Sequence, residues 1–353
     1  MVGSARFERA TSASQTQNHT KLDHDPSKSS KSPNLSLTDN DFKGTLRNTE
    51  LLQVDDYIKA GRIAAEVRER AREKNWVGKT VFEICEEVES EIKKRGAKCA
   101  FPVNASINEI AAHYTAEPND PIIIQDSDLV KIDLGAQING YIADTAVTVC
   151  YDVQYDNLVQ AAEEALSNAM AMVKVGVKAS DVGRTIESTI KQMGCKPIAN
   201  LSGHSLEQYT IHAGKSIPNI WSIGGFALSE NTAYACEPFV TTDKGGGFVR
   251  NGQVKNIFAL NSRKKTKDEE ANRLLDFIWE NFNMLPFALR WIVNEWDEKK
   301  ARELLEYLVK KKAVQAYPVL VEINEQRVAQ AEHTFIPNEN GAVITTQASI
   351  NST

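Results

Sequence analysis

The chain has 353 residues, 42% of them apolar and 25% charged, which accommodates one large domain or two ordinary ones with a substantial core. A net charge of −6 offers no electrostatic case for nucleic-acid binding as the main activity, and neither a membrane-length apolar run nor a secretory signal is present. The five cysteines are odd in number and lack a C-x-x-C pair, which points to reduced thiols and a cytoplasmic location.

Residues 1–48 are rich in Ser, Thr, Asn, Asp and Lys and carry hardly any aliphatic periodicity, so they are expected to form a disordered extension. The extension could instead be a docking arm with the ribosome as its partner, although it has no polybasic block. A globular body is expected over 49–353. It opens with a helix near Glu50, where Leu52, Tyr57, Ile58, Ile63, Ala64 and Val67 fall close to helical spacing. A second helix carries Val81, Ile84, Val88 and Ile92 on one face and ends at Gly96; the extended stretch CAFPVNASIN follows.

About 98 residues later the same order returns, with helices over Asn157–Lys174 and Ser180–Met193, a glycine at Gly194, and the extended stretch PIANLSGHSL. The offset is too long for a solenoid and reads as an ancient duplication, with chance likeness between amphipathic helices as the simpler alternative. Residues 264–316 form a charged helical insertion, with helices over Lys267–Asn283 and Asp297–Lys312 around NMLPFALRW, before strand-like sequence resumes at Tyr317. A DNA-reading helix-turn-helix is the alternative there, but a charged helix is usually only a solvated face.

Between the two repeats lies KIDLGAQINGYIADTAVTV, which predicts a β-hairpin turning at Asn139-Gly140. In that register Gly135 faces Asp144, and Asp133 is the diagonal neighbour of Asp144 on the same face. Strands are depleted in Asp, and two close anions repel unless a cation or a shared proton neutralises them. Solvated edge-strand carboxylates are the bland alternative.

Four histidines lie outside the extension, His113, His204, His212 and His333, each in a short apolar segment with small residues. Singly, such a histidine is more often a hydrogen-bonded core residue than a ligand. They accompany Asp133, Asp144, Glu237 and Glu332, carboxylates among apolar strand residues that need compensation when buried. Two divalent ions would supply it. Four carboxylates and one imidazole suit Mn, Fe or Co, with Zn as a further option, and two ions about 3.5 to 4 Å apart can bring a shared water towards a pKa of about 7.

The segments AFPVNASINEIAAHYT, KIDLGAQINGYIADTAVTV, NLSGHSLEQYTIHAGKSIPN, CEPF, LPFALRW and QAEHT, in order from about Leu51 to Thr346, resemble type 2 methionine aminopeptidases, especially the archaeal form. The resemblance implies an α+β pita-bread fold, built from two pseudo-twofold halves and interrupted by a winged-helix-like insertion. It further implies that Asp133, Asp144, His204, Glu237 and Glu332 ligate two divalent ions, with Asp144 and Glu332 bridging. Glu237 is then the general base, while His212 stabilises the oxyanion and His113 contacts the scissile amide. Phe101, Ile211, Phe239 and Tyr317 would line the methionine pocket, although alone they would read as ordinary core.

The chain departs from the family pattern at Ala331, where Phe is usual, and before Glu237, where LSENTAYACE replaces a Lys-Glu-Gly-Asp turn. Cys236 there reads as a small buried hydrophobe. The expected activity is removal of the N-terminal methionine of nascent polypeptides by a monomer, without membrane or specific nucleic-acid contacts. Rival readings are an Xaa-Pro aminopeptidase or prolidase on the same fold, and a non-catalytic proliferation-associated paralogue that binds RNA or protein.

Overall fold

The computed structural model describes residues 39–348, with side chains from Gln53 onward. Helix α1 spans Asp39–Glu73, so it reaches back into the stretch 1–48 expected to be disordered; residues 1–38 lie outside the described ones.

Helix α2 covers Val81–Lys94 and is nucleated by a capping box, in which Thr80 accepts from the Glu83 N–H and Glu83 accepts from the Thr80 N–H. Its buried face carries Val81, Ile84, Val88 and Ile92, as the spacing predicts. Helices α3 (Asp156–Met172) and α4 (Ala179–Gln192) form the second pair. The repeat seen in sequence is present in the backbone. Gly96 and Gly194 end α2 and α4 with φ of 86° and 73°, and their N–H groups donate to Lys93 O and Lys191 O. Ahead of the helices, Gly78 and Gly176 have φ of 83° and 85° and donate to Ile124 O and Leu228 O. Each pair keeps the same spacing along the chain.

The α1–α2 pair covers a three-stranded antiparallel sheet of Lys98–Ile107, Leu129–Ile138 and Tyr141–Cys150, over a core that includes Trp76, Ile84, Ile132 and Leu134. The α3–α4 pair covers a five-stranded antiparallel sheet, in which His333–Asn338, Ala233–Cys236 and Ser202–Leu206 are the central strands. The sheets join where Ala146 bridges to Glu332 and where Thr145 and Thr148 donate to Glu332 O and Gln330 O. Of the stretch PIANLSGHSL, only Pro197, the end of the strand Lys196–Pro197, and Ser202–Leu206 are in strands, because the segment between them turns.

The insertion differs from the helical segment expected over 264–316. Besides α5 (Glu269–Phe282) and α6 (Glu298–Lys310) it contains an antiparallel sheet, with Ile257–Leu260 between Phe287–Ala288 and Val314–Tyr317. Strands of two to four residues are too short to show a period of two. The insertion has its own core around Leu274, Ile278, Phe287, Leu304 and Leu308.

Candidate metal centre and substrate cleft

The hairpin turns as predicted. Asn139 and Gly140 have φ of 52° and 87°, the mirror-image turn that matches strand twist. Ile138 faces Tyr141, Gly135 faces Asp144 and Asp133 faces Ala146. A Cβ on Gly135 would lie 2.3 Å from the Phe101 ring, so glycine is what lets that ring reach the cleft beside the aspartates.

The other three predicted ligands come from the second half. His204 pairs with Ala235 on the neighbouring strand, and Glu237 follows that strand's end. His333 pairs with Cys236, and the same register continued by one residue sets Glu332 against Glu237. Ligand atoms of Asp144, His204 and Glu332 lie within 4.8 Å of one another. The His204 Nε2 is 3.6 Å from Asp144 Oδ2 and 3.7 Å from Glu237 Oε1. All five predicted ligands line one cleft, together with Phe101, Asn104, Ala112, His113, Ile211, His212, Ile257, Pro286 and Tyr317.

No lysine or arginine is among the lining residues. Four carboxylates, Asp144 and Glu332 buried and Asp133 and Glu237 half-buried, therefore sit side by side without a lysine or arginine. Burial raises the proton affinity of Asp133 to a pKa of about 7. It lifts Asp144, Glu237 and Glu332 well above the usual carboxylate range, and their mutual repulsion adds to it. Asp133 Oδ1 and Asp144 Oδ1 have no hydrogen-bond partner among the described residues. Unpartnered buried anions of this kind are costly, and an oxygen-rich set with one imidazole is what hard or borderline divalent cations bind. The residues fit such ions.

His113 and His212 flank the carboxylates. The His212 ring stands edge-on to His204 with centroids 4.5 Å apart, and His113 packs edge-on to Tyr317 at 5.7 Å. Burial lowers the pKa of His113 to about 4, and desolvation lowers that of the more exposed His212 from its ordinary 6.5, so both rings are neutral at pH 7. The His113 backbone has φ of 65°, a left-handed conformation rare for a residue with a Cβ, and its Nδ1 sits 3.3 Å from Pro318 O. Strain of this kind is found where surrounding structure over-determines a functional side chain.

The family is decided by comparison with known proteins. Residues 55–255 match the model of metallopeptidase family M24. The chain belongs to metallopeptidase family M24. It is 41% identical over 297 residues to the methionine aminopeptidase of Pyrococcus horikoshii, covering 84% of this chain and all of that protein. Within the family it therefore groups with the archaeal methionine aminopeptidases. The crystal structure of Thermotoga maritima methionine aminopeptidase superposes with a TM-score of 0.60 at 23% identity, covering 84% of this chain and 96% of that one. Prolidase from Pyrococcus furiosus gives a TM-score of 0.55 at 19% identity, covering 87% of this chain and 68% of that one. Those two likenesses concern the fold, the α+β pita-bread architecture of the family.

One residue expected in the pocket lies elsewhere in the structure. Phe239 does not line the cleft; it packs beneath it among Ala111, Ala112, Ile198, Val249 and Val328. Its strand pairs on both sides, with Val328–Gln330 and Lys196–Pro197, which turns the ring into the core. Asn104, Ala112, Ile257 and Pro286 line the cleft and were not anticipated. Asn104 is opposite Asp133 in the sheet, a register that hairpin reasoning alone does not supply. Gln330, two residues before Glu332 and on the same side of the chain, donates to Glu332 Oε2 at 3.3 Å. The pattern Gln-x-Glu was the available signal for it.

His333 is outside the cleft. It contacts Arg68 and Thr346, as a hydrogen-bonded core histidine does. Cys236 is fully buried and its thiol is pushed up by burial, in keeping with a small hydrophobe. Ala331 is buried behind the ligand strand and borders a surface cleft with Leu166, Met170 and Ile344, the space that a larger side chain would fill.

Proposed function

We propose that the chain removes N-terminal methionine at a centre of two divalent ions, Mn, Fe, Co or Zn, held by Asp133, Asp144, His204, Glu237 and Glu332. The activity is supported by the full-length likeness to the P. horikoshii methionine aminopeptidase. The residue assignment is supported by one observation above the others: four carboxylates and the imidazole of His204 converge in one cleft that no lysine or arginine lines. Asp144 and Glu332 lie at the join of the two sheets and would be the ligands shared between the two ions.

The ions, when bound, supply Lewis acidity, an anchor for a free α-amine and a water acidic enough to ionise near neutral pH. The chain's own groups do the rest. Glu237, a carboxylate lining the cleft beside the other ligand residues, would accept a proton from water and return it to the leaving amine. Neutral His212 can donate one hydrogen bond to the carbonyl oxygen as negative charge develops, and neutral His113 can contact the amide of the scissile bond. Phe101, Ile211 and Tyr317, with Ala112, Ile257 and Pro286, provide an apolar wall suited to an unbranched thioether side chain.

The test is hydrolysis of Met-Ala-Ser, Ala-Ala-Ser and Ala-Pro-Ser by ion-free and reconstituted protein. Activity is expected only with ions, and on Met-Ala-Ser far above the other two. A preference for Ala-Pro-Ser would overturn the methionine assignment in favour of an Xaa-Pro enzyme, and undiminished activity without ions would overturn the metal centre.

A further inference from the structure

The insertion supplies Ile257, Pro286 and Tyr317 to the cleft wall, so the shape of the substrate pocket depends on where the insertion sits against the body. Its own core is separate from the cores of the two halves. Where it meets the body there is a crevice lined by Glu86, Cys99, Phe282, Leu285, Pro286 and Trp291. Pro286 therefore has the substrate cleft on one side and this crevice on the other, and its position has little solid backing.

What spans the seam is a buried polar cluster. Glu89 of α2 is 1% exposed and Arg290 of the insertion 6%. Arg290 Nη1 donates to Glu89 Oε2 at 3.2 Å, and Arg290 Nη2 pairs with Glu89 Oε1. Trp291 Nε1 donates to Glu89 Oε2 at 2.7 Å, and the Val103 N–H donates to Glu89 Oε1 at 3.0 Å. Arg290 Nη2 also reaches Thr115 Oγ1 at 3.1 Å, while Asn256, next to Ile257, donates to Thr115 O. Thr115 lies two residues beyond His113. The insertion is thus tied to the body on both sides of its wall residues, through groups that touch the segment just after His113.

A buried ion pair contributes little net stability compared with an apolar pair of similar volume, but its bidentate geometry fixes the register between the parts it joins. We propose that Arg290 and Glu89 form a positioning clamp that holds Pro286, Ile257 and Tyr317 at the distance that fits the first side chain of the substrate. The inference rests on the substrate reading given above. It makes Arg290 and Glu89 determinants of selectivity although neither touches substrate.

The test uses the ion-saturated protein and two variants. Arg290→Lys keeps the charge and loses the fork, and the pair Glu89→Leu with Arg290→Met keeps the core filled should a lone buried charge prevent folding. For both, KM for Met-Ala-Ser should rise about tenfold with kcat held within about threefold, and the preference over Ala-Ala-Ser should shrink about tenfold. Amide exchange over Phe287–Trp291 should quicken at least about tenfold while that of α3 and α4 is unchanged. A folded variant with unchanged KM, selectivity and exchange would overturn the clamp. So would a fall in kcat with KM unchanged, which would assign the pair to support of His113. Should the parent protein not cleave Met-Ala-Ser, the function reading fails, and exchange over Phe287–Trp291 alone decides whether the clamp exists.

Discussion

The two halves of the body share a backbone plan and contribute to the site in different ways. The first half places Asp133 and Asp144 on adjacent strands of one hairpin, separated by a two-residue turn. The second half places His204, Glu237 and Glu332 on or next to three strands far apart in sequence. The same architecture thus builds half of the proposed metal centre from local geometry and the other half from tertiary pairing. The local half can be reasoned out residue by residue, whereas the distant half requires that the sheet already be formed.

The largest expected effect breaks the second half. Glu332→Gln should lower kcat/KM for Met-Ala-Ser by at least about 10³-fold, since it removes a ligand from the junction of the sheets. Saturating ions at 100 times their Kd should stabilise the parent by about 2.7 kcal/mol, and most of that gain should vanish in the variant. Thermal unfolding with and without ions reads both. An unchanged gain would show that Glu332 is not a ligand.

Next come the two histidines, one from each half. His212→Ala should lower kcat by about 10² to 10³-fold, as loss of an oxyanion donor does, with ion-induced stabilisation unchanged. His113→Ala should give a comparable loss if the halves contribute equally to the transition state. A loss of ion binding in either variant would move that histidine into the ligand set.

The pH dependence of the ion-free protein sharpens the comparison further. The Asp133 pKa rises from an ordinary 3.8 to about 7 on burial, so this group disfavours the folded state as it ionises. Its contribution is present below about pH 4 and is lost as pH climbs through 7. Asp133→Asn should therefore flatten part of the decline in stability over that window, by about 2 to 4 kcal/mol at its upper end. His113, with its pKa lowered to about 4, acts in the opposite direction, destabilising the fold as pH falls from about 6.5. Urea unfolding from pH 4 to 8 measures the slope, and an unchanged slope in the variant would show that the aspartate is not buried without a counter-charge.

The smallest effect tests the shared plan itself. Gly96 and Gly194 both have positive φ and open space where a Cβ would go. Alanine at each should cost about 1 to 2 kcal/mol, and the two costs should agree within about 0.5 kcal/mol. Gly140→Ala should cost more, because the added Cβ would also overlap the Tyr209 ring at 2.4 Å. Unequal costs at Gly96 and Gly194 would show that the halves share a trace without sharing its energetics.

By itself the sequence determined the elements whose cause is local. The Asn139-Gly140 turn, the helix ends at Gly96 and Gly194, and the apolar face of α2 follow from backbone permissiveness and from the period of the buried side chains. Family resemblance added the remaining proposed ligands, and the structure brings those residues into one cleft. Only the tertiary structure decided which neighbours the cleft acquires. Phe239 and Ile257 are both apolar residues in short strands, and nothing near either in the chain says that one is core and the other wall. That difference is set by strand pairing and by the seat of the insertion, where Glu89 in α2 meets Arg290 some two hundred residues away. Contacts between such distant residues form only once the intervening chain has folded, so no local pattern encodes them.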